Sequence, residues 1–226
     1  MDENVKIDKK SSKALADNDE KSFTSLITLY DTNKIIYTYY KSDYDHQRKL
    51  YSGKKISEFL KYRPNQHEID YFYSYLYNFW KMFIDNFPGV KDYVDKCNDE
   101  NAASSYRNKN SGGLLYFRPI ALPQLIKAIL ETQLRTQMVL TECMAKYAQV
   151  EMCISREPWV QLLWNVKAQT MIMKYKTNIF HMLIYLFSKD LLSQKEKYTL
   201  LKNYAEANDI DELAADQRLS GLTSVL

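Results

Sequence analysis

The sequence predicts a mainly α-helical protein organised as a single compact helical domain, with at most a short β-hairpin near residues 160–173. Three observations indicate this fold class. Apolar residues recur at three- and four-residue spacing along several segments, which is the period of a helix with one buried face. Five Gly and five Pro in 226 residues leave little material for a turn-dense β architecture. An apolar content of 46% is ordinary for a globular protein with a core.

The chain is expected to begin with a polar arm and to continue as the helical domain. Residues 1–20 are polar and charged, which is typical of an exposed arm or a disordered lead-in. Residues 21–226 are therefore assigned to the helical domain. Apolar residues at helical spacing predict a first helix over residues 23–37, with a break near residues 31–33.

The strongest helix signal lies in the first half of the domain. A short helix is predicted over residues 56–60 and ends before Pro64, because the residue preceding a proline avoids the α region. Asn65 and Glu68 then have the spacing of a capping box, and residues 88–89 (Pro-Gly) end the following apolar stripe. The members of this stripe are Ile69, Phe72, Tyr73, Leu76, Phe79, Trp80, Phe83 and Phe87.

The middle of the chain predicts a loop, a buried segment and two helices. Residues 98–113 are polar and end in two glycines, so we expect a loop. Residues 114–119 are apolar and are expected to be extended or buried. Pro123 suits the first turn of a helix, where its missing N–H costs nothing. A further helix is predicted over residues 138–154.

The C-terminal part predicts the only β-like pair and three more helices. A break is expected at residues 158–159, followed by the β-like pair at residues 160–173. Residues 179–187 are almost wholly apolar and predict a buried helix. Ser193 stands three residues before a Glu, which repeats the capping-box pattern, and residues 209–218 predict a short terminal helix.

No catalytic constellation is recognisable, so the sequence predicts no catalytic residue, no metal site and no cofactor. The histidines His46, His67 and His181 lie far apart, and none has a His or Cys three or four residues away. His181 stands in an apolar run and is expected to be a satisfied core histidine. No G-x-S-x-G is present, and the Gly pair at residues 112–113 is not followed by G-K-[ST]. The chain is therefore not expected to be an enzyme.

Cysteine usage and hydropathy predict a cytoplasmic protein that does not enter a membrane. Cys97, Cys143 and Cys153 form no C-x-x-C pair, and no N-terminal apolar run resembles a signal peptide. The most apolar stretch, residues 179–187, is much shorter than the roughly 20 residues that span a bilayer.

Charge is distributed unevenly along the chain, although the formal net charge is only +3. Residues 34–63 carry eight basic residues against three acids, with tyrosines interleaved, whereas residues 206–216 carry five acids and no base. Lys and Arg neutralise phosphates, and Tyr donates to them or stacks on bases. A solvated basic face is the alternative interpretation. The candidate nucleic-acid-binding residues are Lys49, Lys54, Lys55, Arg63, Arg107, Lys109 and Arg118.

Arg118 differs from the other candidates because it stands between Phe117 and Pro119 in an apolar segment. An arginine in such a position is either paired with a buried carboxylate or held ready for an anion. Pairing with a carboxylate is the favoured interpretation.

Four short stretches resemble the DGQHR-domain, or DndB-like, family in the same order over about 150 residues. The first is S-F-T-S-L-I-T-L-Y at residues 22–30, and the second is R-P-x-x-x-E-I at residues 63–69. The third is S-G-G-L-L-Y-F-R-P-I-A-L-P-Q-L-I-K-A-I at residues 111–129, which is similar to the family's "LLFRPIG" segment. The fourth is P-W-V-Q-L-L-W-N at residues 158–165, followed by T-M-I at residues 170–172.

The resemblance implies the C-terminal half of such a protein, because the D-G-Q-H-R motif itself is absent. It implies a DNA-linked regulator associated with DNA-modification or phage-defence loci, with DNA as the partner. An alternative is a protein-interaction module that docks on a missing or separately encoded DGQHR-bearing partner. A further alternative is part of an enzyme whose active site lies in a missing N-terminal half. The oligomeric state is left open. The matching family-motif positions, which are also explained by a structural role, are Phe117, Arg118, Pro119, Trp159 and Trp164.

Overall fold

The computed structural model describes residues 5–10, 12–16, 19–48, 65–108 and 110–223. These residues form a helical domain with two very short sheets, so the predicted mainly α fold class is confirmed. The helices are α1 (Leu26–Arg48), α2 (Gln66–Asn86), α3 (Pro88–Asp95), α4 (Leu122–Thr136), α5 (Leu140–Tyr147), α6 (Asn178–Phe187), α7 (Gln194–Asn208) and α8 (Glu212–Thr223).

Helix α1 runs without interruption through residues 31–33, so the predicted break there is wrong. Its polar residues are satisfied in place. The Thr32 hydroxyl donates to the Thr28 carbonyl at 2.7 Å, and Asn33 Oδ1 accepts from Trp80 Nε1 at 2.9 Å. Residues 31–33 have low helix propensity, but the contact of Asn33 with Trp80 on α2 outweighs it, so the helix continues.

Helix α2 begins and ends close to its predicted boundaries. The Asn65 side chain accepts from the Glu68 backbone N–H at 2.9 Å, and the Glu68 carboxylate accepts from the Asn65 N–H at 3.3 Å, which completes the capping box. The C-terminal half of its aromatic stripe is buried in the main core, whereas Phe72 in the N-terminal half packs against Tyr37 and Tyr40 of α1. The stripe therefore joins α2 to two separate clusters.

Helices α4 and α6 form the centre of the fold. Helix α4 packs against α1, α5 and α6, and eight of the ten residues of α6 are buried. Burial of one aliphatic or aromatic side chain stabilises the folded state by about 1.5–3 kcal/mol, so the many buried residues of these two helices contribute strongly to stability. Helices α7 and α8 pack on the outer side of α6. The predicted buried helix and the capping box at Ser193 are both confirmed.

The helix predicted over residues 138–154 is too long. Helix α5 ends at Tyr147, and residues 152–154 instead pair with the segment before α4: Leu115 N donates to the Met152 carbonyl at 2.7 Å and Ile154 N to the Gly113 carbonyl at 3.0 Å. These bonds satisfy backbone groups that a longer helix would have used itself.

The described residues also form two short sheets. Strands β3 (Trp164–Asn165) and β4 (Thr170–Met171) are antiparallel and form the predicted hairpin. Strands β1 (Ile7–Asp8) and β2 (Thr24–Ser25) are parallel, and this sheet was not predicted. Its first strand lies within residues 1–20, so the described part of the predicted polar arm contacts the domain instead of extending from it. No helix in the described ranges has the length and apolarity needed to cross a bilayer.

Candidate functional site

The segment that carries Arg118 is shaped by two consecutive glycines. Gly112 and Gly113 have φ angles of +70° and +74°, in the left-handed region where other residues are strained. A Cβ atom on Gly113 would lie 2.0 Å from the Tyr106 carbonyl oxygen. The following single turn, Leu115–Phe117, is buried and fixes the start of the Arg118 side chain.

A second segment, distant in sequence, completes the surroundings of Arg118. Residues 152–154 pair with residues 113–115, as described above, and residues 159–164 follow them. Trp159 is fully buried, and its Nε1 donates to the Glu151 carbonyl at 2.5 Å. Trp164 lies against Gly112, since a Cβ atom on that glycine would be 2.9 Å from Trp164 Cδ2. The third and fourth of the stretches that resemble the DGQHR-domain family, which contain Arg118 and Trp164, therefore lie against each other.

Arg118 lies at this junction and has no acidic partner among the described residues. Its Nε donates to the Gly112 carbonyl at 2.9 Å, and its Nη2 donates to the same oxygen. The guanidinium carbon lies 5.7 Å from the centroid of the Trp164 ring, in cation–π range. Within the part of the chain that the structure describes, no carboxylate lies within 4.0 Å of Arg118, so the carboxylate pairing favoured from the sequence is not found.

The electrostatic surroundings make the Arg118 charge less stable than in water. Burial and, secondarily, the neighbouring Arg107 lower the pKa of Arg118 to about 10. This value is still far above neutral pH, so the guanidinium remains protonated. A half-buried cation therefore stands at the junction, and the described part of the chain supplies no countercharge to it.

Arg107, another predicted nucleic-acid contact, is used inside the protein. Its Nη1 donates to the Ser22 carbonyl at 2.7 Å, and its Nη2 donates to the Asp19 carbonyl and lies 3.7 Å from the Asp19 carboxylate. Only 8% of the side chain is exposed. Arg107 thus ties the N-terminal segment to the turn at Ser105–Arg107 and presents almost no surface to a phosphate.

The remaining predicted basic contacts, Lys49, Lys54, Lys55, Arg63 and Lys109, lie outside the described residues. The elements on either side of residues 49–64 are nevertheless defined. Helix α1 precedes this segment and α2 follows it, and their aromatic side chains interlock. The rings of Tyr37 and Phe72 are 4.9 Å apart, and those of Tyr40 and Tyr75 are 4.8 Å apart.

The other family-motif positions lie in or beside the core. Phe117 is fully buried, stacks on Tyr106 at 4.6 Å and meets Phe23 edge-on at 5.0 Å. Pro119 is half-buried at the end of the turn that leads into α4. Together with buried Trp159, these residues hold the Arg118 junction in place, which is the structural role that the sequence left open.

A second polar network, which the sequence did not predict, links four helices. Tyr39 on α1 donates to Glu131 Oε2 at 2.6 Å, and Arg135 Nε donates to Glu131 Oε1 at 2.7 Å. Arg135 Nη2 lies 3.8 Å from Glu196 Oε1 on α7, and His181 Nε2 on α6 lies 3.7 Å from the same oxygen. The only sequence signal for this network is the separation of four residues between Glu131 and Arg135, which places both side chains on one face of a helix.

The pKa values in this network follow from its geometry. Burial raises the pKa of Tyr39, and the bond to Glu131 raises it further. Burial opposes ionisation of Glu131, but the bonds from Tyr39 and Arg135 outweigh it and lower the pKa of Glu131. The network is therefore a carboxylate held ionised between a phenol and a guanidinium.

The three cysteine thiols are single groups with no metal-binding cluster around them in the described ranges. In the described ranges, no cluster of three or more His, Cys, Asp or Glu side chains is placed to hold a metal ion. Burial raises the pKa of the Cys143 thiol to about 12, so this cysteine is protonated at neutral pH. Cys97 is buried and Cys153 is partly buried, and all three thiols are free.

Comparison of the chain with protein-family models, curated proteins and solved structures found no match. Membership of the DGQHR-domain family therefore stays a prediction from the four motif stretches.

Proposed function

We propose that this chain is a non-catalytic helical module that contacts nucleic-acid backbone, as part of a DndB-like regulator linked to DNA modification or defence. The observation that carries the proposal is the basic segment, residues 34–63, with eight basic residues against three acids. Lys and Arg side chains bind backbone phosphates irrespective of base sequence and release condensed counterions on doing so.

The flanking helices support this proposal. Helix α1 contains residues 34–48 of the basic segment, and α2 begins after the segment ends. The two helices are fixed to each other by the cluster of Tyr37, Tyr40, Phe72 and Tyr75. Lys34, on the described part of α1, is exposed and available to the same ligand.

The proposal is tested by the salt dependence of binding to a labelled DNA duplex, measured by fluorescence anisotropy between about 50 and 200 mM salt. The parent is expected to bind with a steep slope of log K against log salt. A variant with Lys49, Lys54, Lys55 and Arg63 all changed to Glu is expected to lose binding. Each lost phosphate contact removes about 0.9 from that slope.

A matched control separates local charge from total charge. Lys167, Lys176, Lys195 and Lys202 are exposed and lie outside the basic segment. Their joint change to Glu alters the net charge by a similar amount, and this control is expected to retain most of the parent's affinity. Equal loss in both variants, or parent binding that is insensitive to salt, would contradict the proposal.

Exposed tyrosines on α2 favour a second candidate function, docking on a DGQHR-bearing protein. Tyr73 and Tyr77 lie one helical turn apart and are 66% and 48% exposed. Tyrosine is enriched at protein interfaces because it combines apolar area with a polar tip. Light scattering on mixtures with a purified DGQHR-bearing chain is expected to show a complex that Y73A/Y77A weakens and Y198A, at a 56% exposed site on α7, does not.

A further inference from the structure

We propose that Arg118 and Trp164 form a binding site for an oxyanion, for which inorganic phosphate is the simplest ligand. This site uses no residue of the basic segment, and its existence is independent of the nucleic-acid proposal. It lies where residues 112–119 meet residues 152–164.

The first argument is the number of unused donors on Arg118. A guanidinium carries five N–H groups, and the Gly112 carbonyl accepts from Nε and Nη2 alone. Nη1 donates to no described residue. It is also not among the buried polar atoms that lack a partner, so it is open to solvent.

The second argument is charge. Arg118 remains protonated at neutral pH, and no described carboxylate lies within 4.0 Å of it. The face of the Trp164 ring supplies part of the missing negative potential. An anion would supply the rest, and its attraction to Arg118 is stronger here than in bulk water because the site is partly buried.

The third argument comes from Trp164 itself. Its Nε1 is buried and has no acceptor among the described residues, whereas the corresponding atoms of Trp80 and Trp159 are both bonded. Buried indole N–H groups in proteins normally have a partner. Arg118 and Trp164, which lie in cation–π range of each other, thus each carry a donor without a described acceptor, and we infer that one oxyanion with several acceptor oxygens accepts from both.

The planar guanidinium selects the ligand class. Its remaining N–H groups match the spacing of two oxygens on a phosphate or a carboxylate. Phosphate has more acceptor oxygens and more charge at neutral pH than a carboxylate does, so it serves the indole N–H as well. We therefore expect phosphate to bind more tightly than acetate.

The test is isothermal titration of the full chain with inorganic phosphate, and separately with acetate, at pH 7 and at ionic strength held constant with sodium chloride. Saturable binding of phosphate, tighter than that of acetate, is expected. R118Q is expected to weaken it at least about tenfold, and W164F about threefold or more. R156Q, which removes an arginine whose side chain is 72% exposed in the same segment, is the matched control and is expected to bind as the parent does.

Three results would overturn the site. These are equal phosphate affinity in R118Q and the parent, an unchanged affinity in W164F, and binding by the parent that cannot be saturated. If R118Q does not fold, R118K decides the guanidinium contribution, because Lys keeps the charge but loses the fork and is expected to bind several-fold more weakly. DNA binding by R118Q is measured in parallel, and its retention separates this site from the basic segment.

Discussion

His181 is a residue whose surroundings predict how folding depends on pH. Burial lowers the pKa of His181, Glu196 opposes this shift at 3.7 Å, and Lys127 and Arg135 add to it. The unfolded chain, with a histidine pKa near 6.5, therefore takes up a proton at higher pH than the folded protein does. Stability is fully present above that value and falls as the pH drops below it.

Replacement of His181 is expected to remove this part of the pH dependence. The free energy of unfolding of the parent, from urea titrations at pH 7.5 and 5.5, should fall more steeply than that of H181Q. The control is H67Q, at an exposed histidine at the start of α2, which should follow the parent. Parallel pH profiles for the parent and H181Q would contradict the assignment.

Asn33 is a second residue whose role comes from a distant partner. Its Oδ1 accepts from the buried Trp80 Nε1. The N33A change leaves that N–H without an acceptor and is expected to lower the free energy of unfolding by about 1–3 kcal/mol. N33D keeps the acceptor and should cost less, as measured by chemical denaturation. Equal losses in both variants would show that the hydrogen bond does not matter.

Among the elements, those with strong local signals could be predicted, and those set by tertiary contacts could not. The capping boxes at Asn65 and Ser193 and the proline in the first turn of α4 are encoded within a few residues, and the structure has all three. The uninterrupted course of α1 depends on Trp80, which is 47 residues away from Asn33. The early end of α5 depends on pairing with residues 113–115.

The same division explains the candidate site. Arg118 could be identified from its apolar neighbours, since a cation there needs a partner. Its actual neighbours, the Gly112 carbonyl and Trp164, could not be identified, because a left-handed loop and a hairpin 46 residues further along the chain bring them together. Arg107 could not be distinguished from a surface arginine, because its partners Ser22 and Asp19 are 85 and 88 residues away in the sequence.

The glycine loop before Arg118 is an element whose conformation can be tested directly. G113A places a Cβ atom against the Tyr106 carbonyl in a left-handed conformation, and we expect it to destabilise the fold by about 3 kcal/mol or more. G221A is the matched control, because a Cβ there meets nothing within 4 Å and lies in α8, where Ala favours helix by up to about 1 kcal/mol. Thermal denaturation of both variants should therefore shift in opposite directions.

At the scale of the whole molecule, the main core is continuous from Phe23 near the start of the described chain to Leu219 in α8. The network of Tyr39, Glu131, Arg135, Glu196 and His181 crosses the same helices, so α1, α4, α6 and α7 share both apolar and polar contacts. Local opening of one helix would therefore expose surface on its neighbours. A core of this kind favours a single cooperative unfolding transition in place of separate transitions for the two halves.

Tryptophan positions allow this cooperativity to be measured in each half. Trp80 lies in α2, whereas Trp159 and Trp164 lie in the segment around Arg118. In W80F the remaining fluorescence reports on the Arg118 segment, and in W159F/W164F it reports on α2. Within each variant, the urea midpoint from fluorescence should coincide with that from far-ultraviolet circular dichroism, since helices in every part of the core unfold together. A fluorescence midpoint that precedes the dichroism midpoint in W80F alone would show that the Arg118 segment opens first, and the single-domain assignment of residues 21–226 would then be wrong.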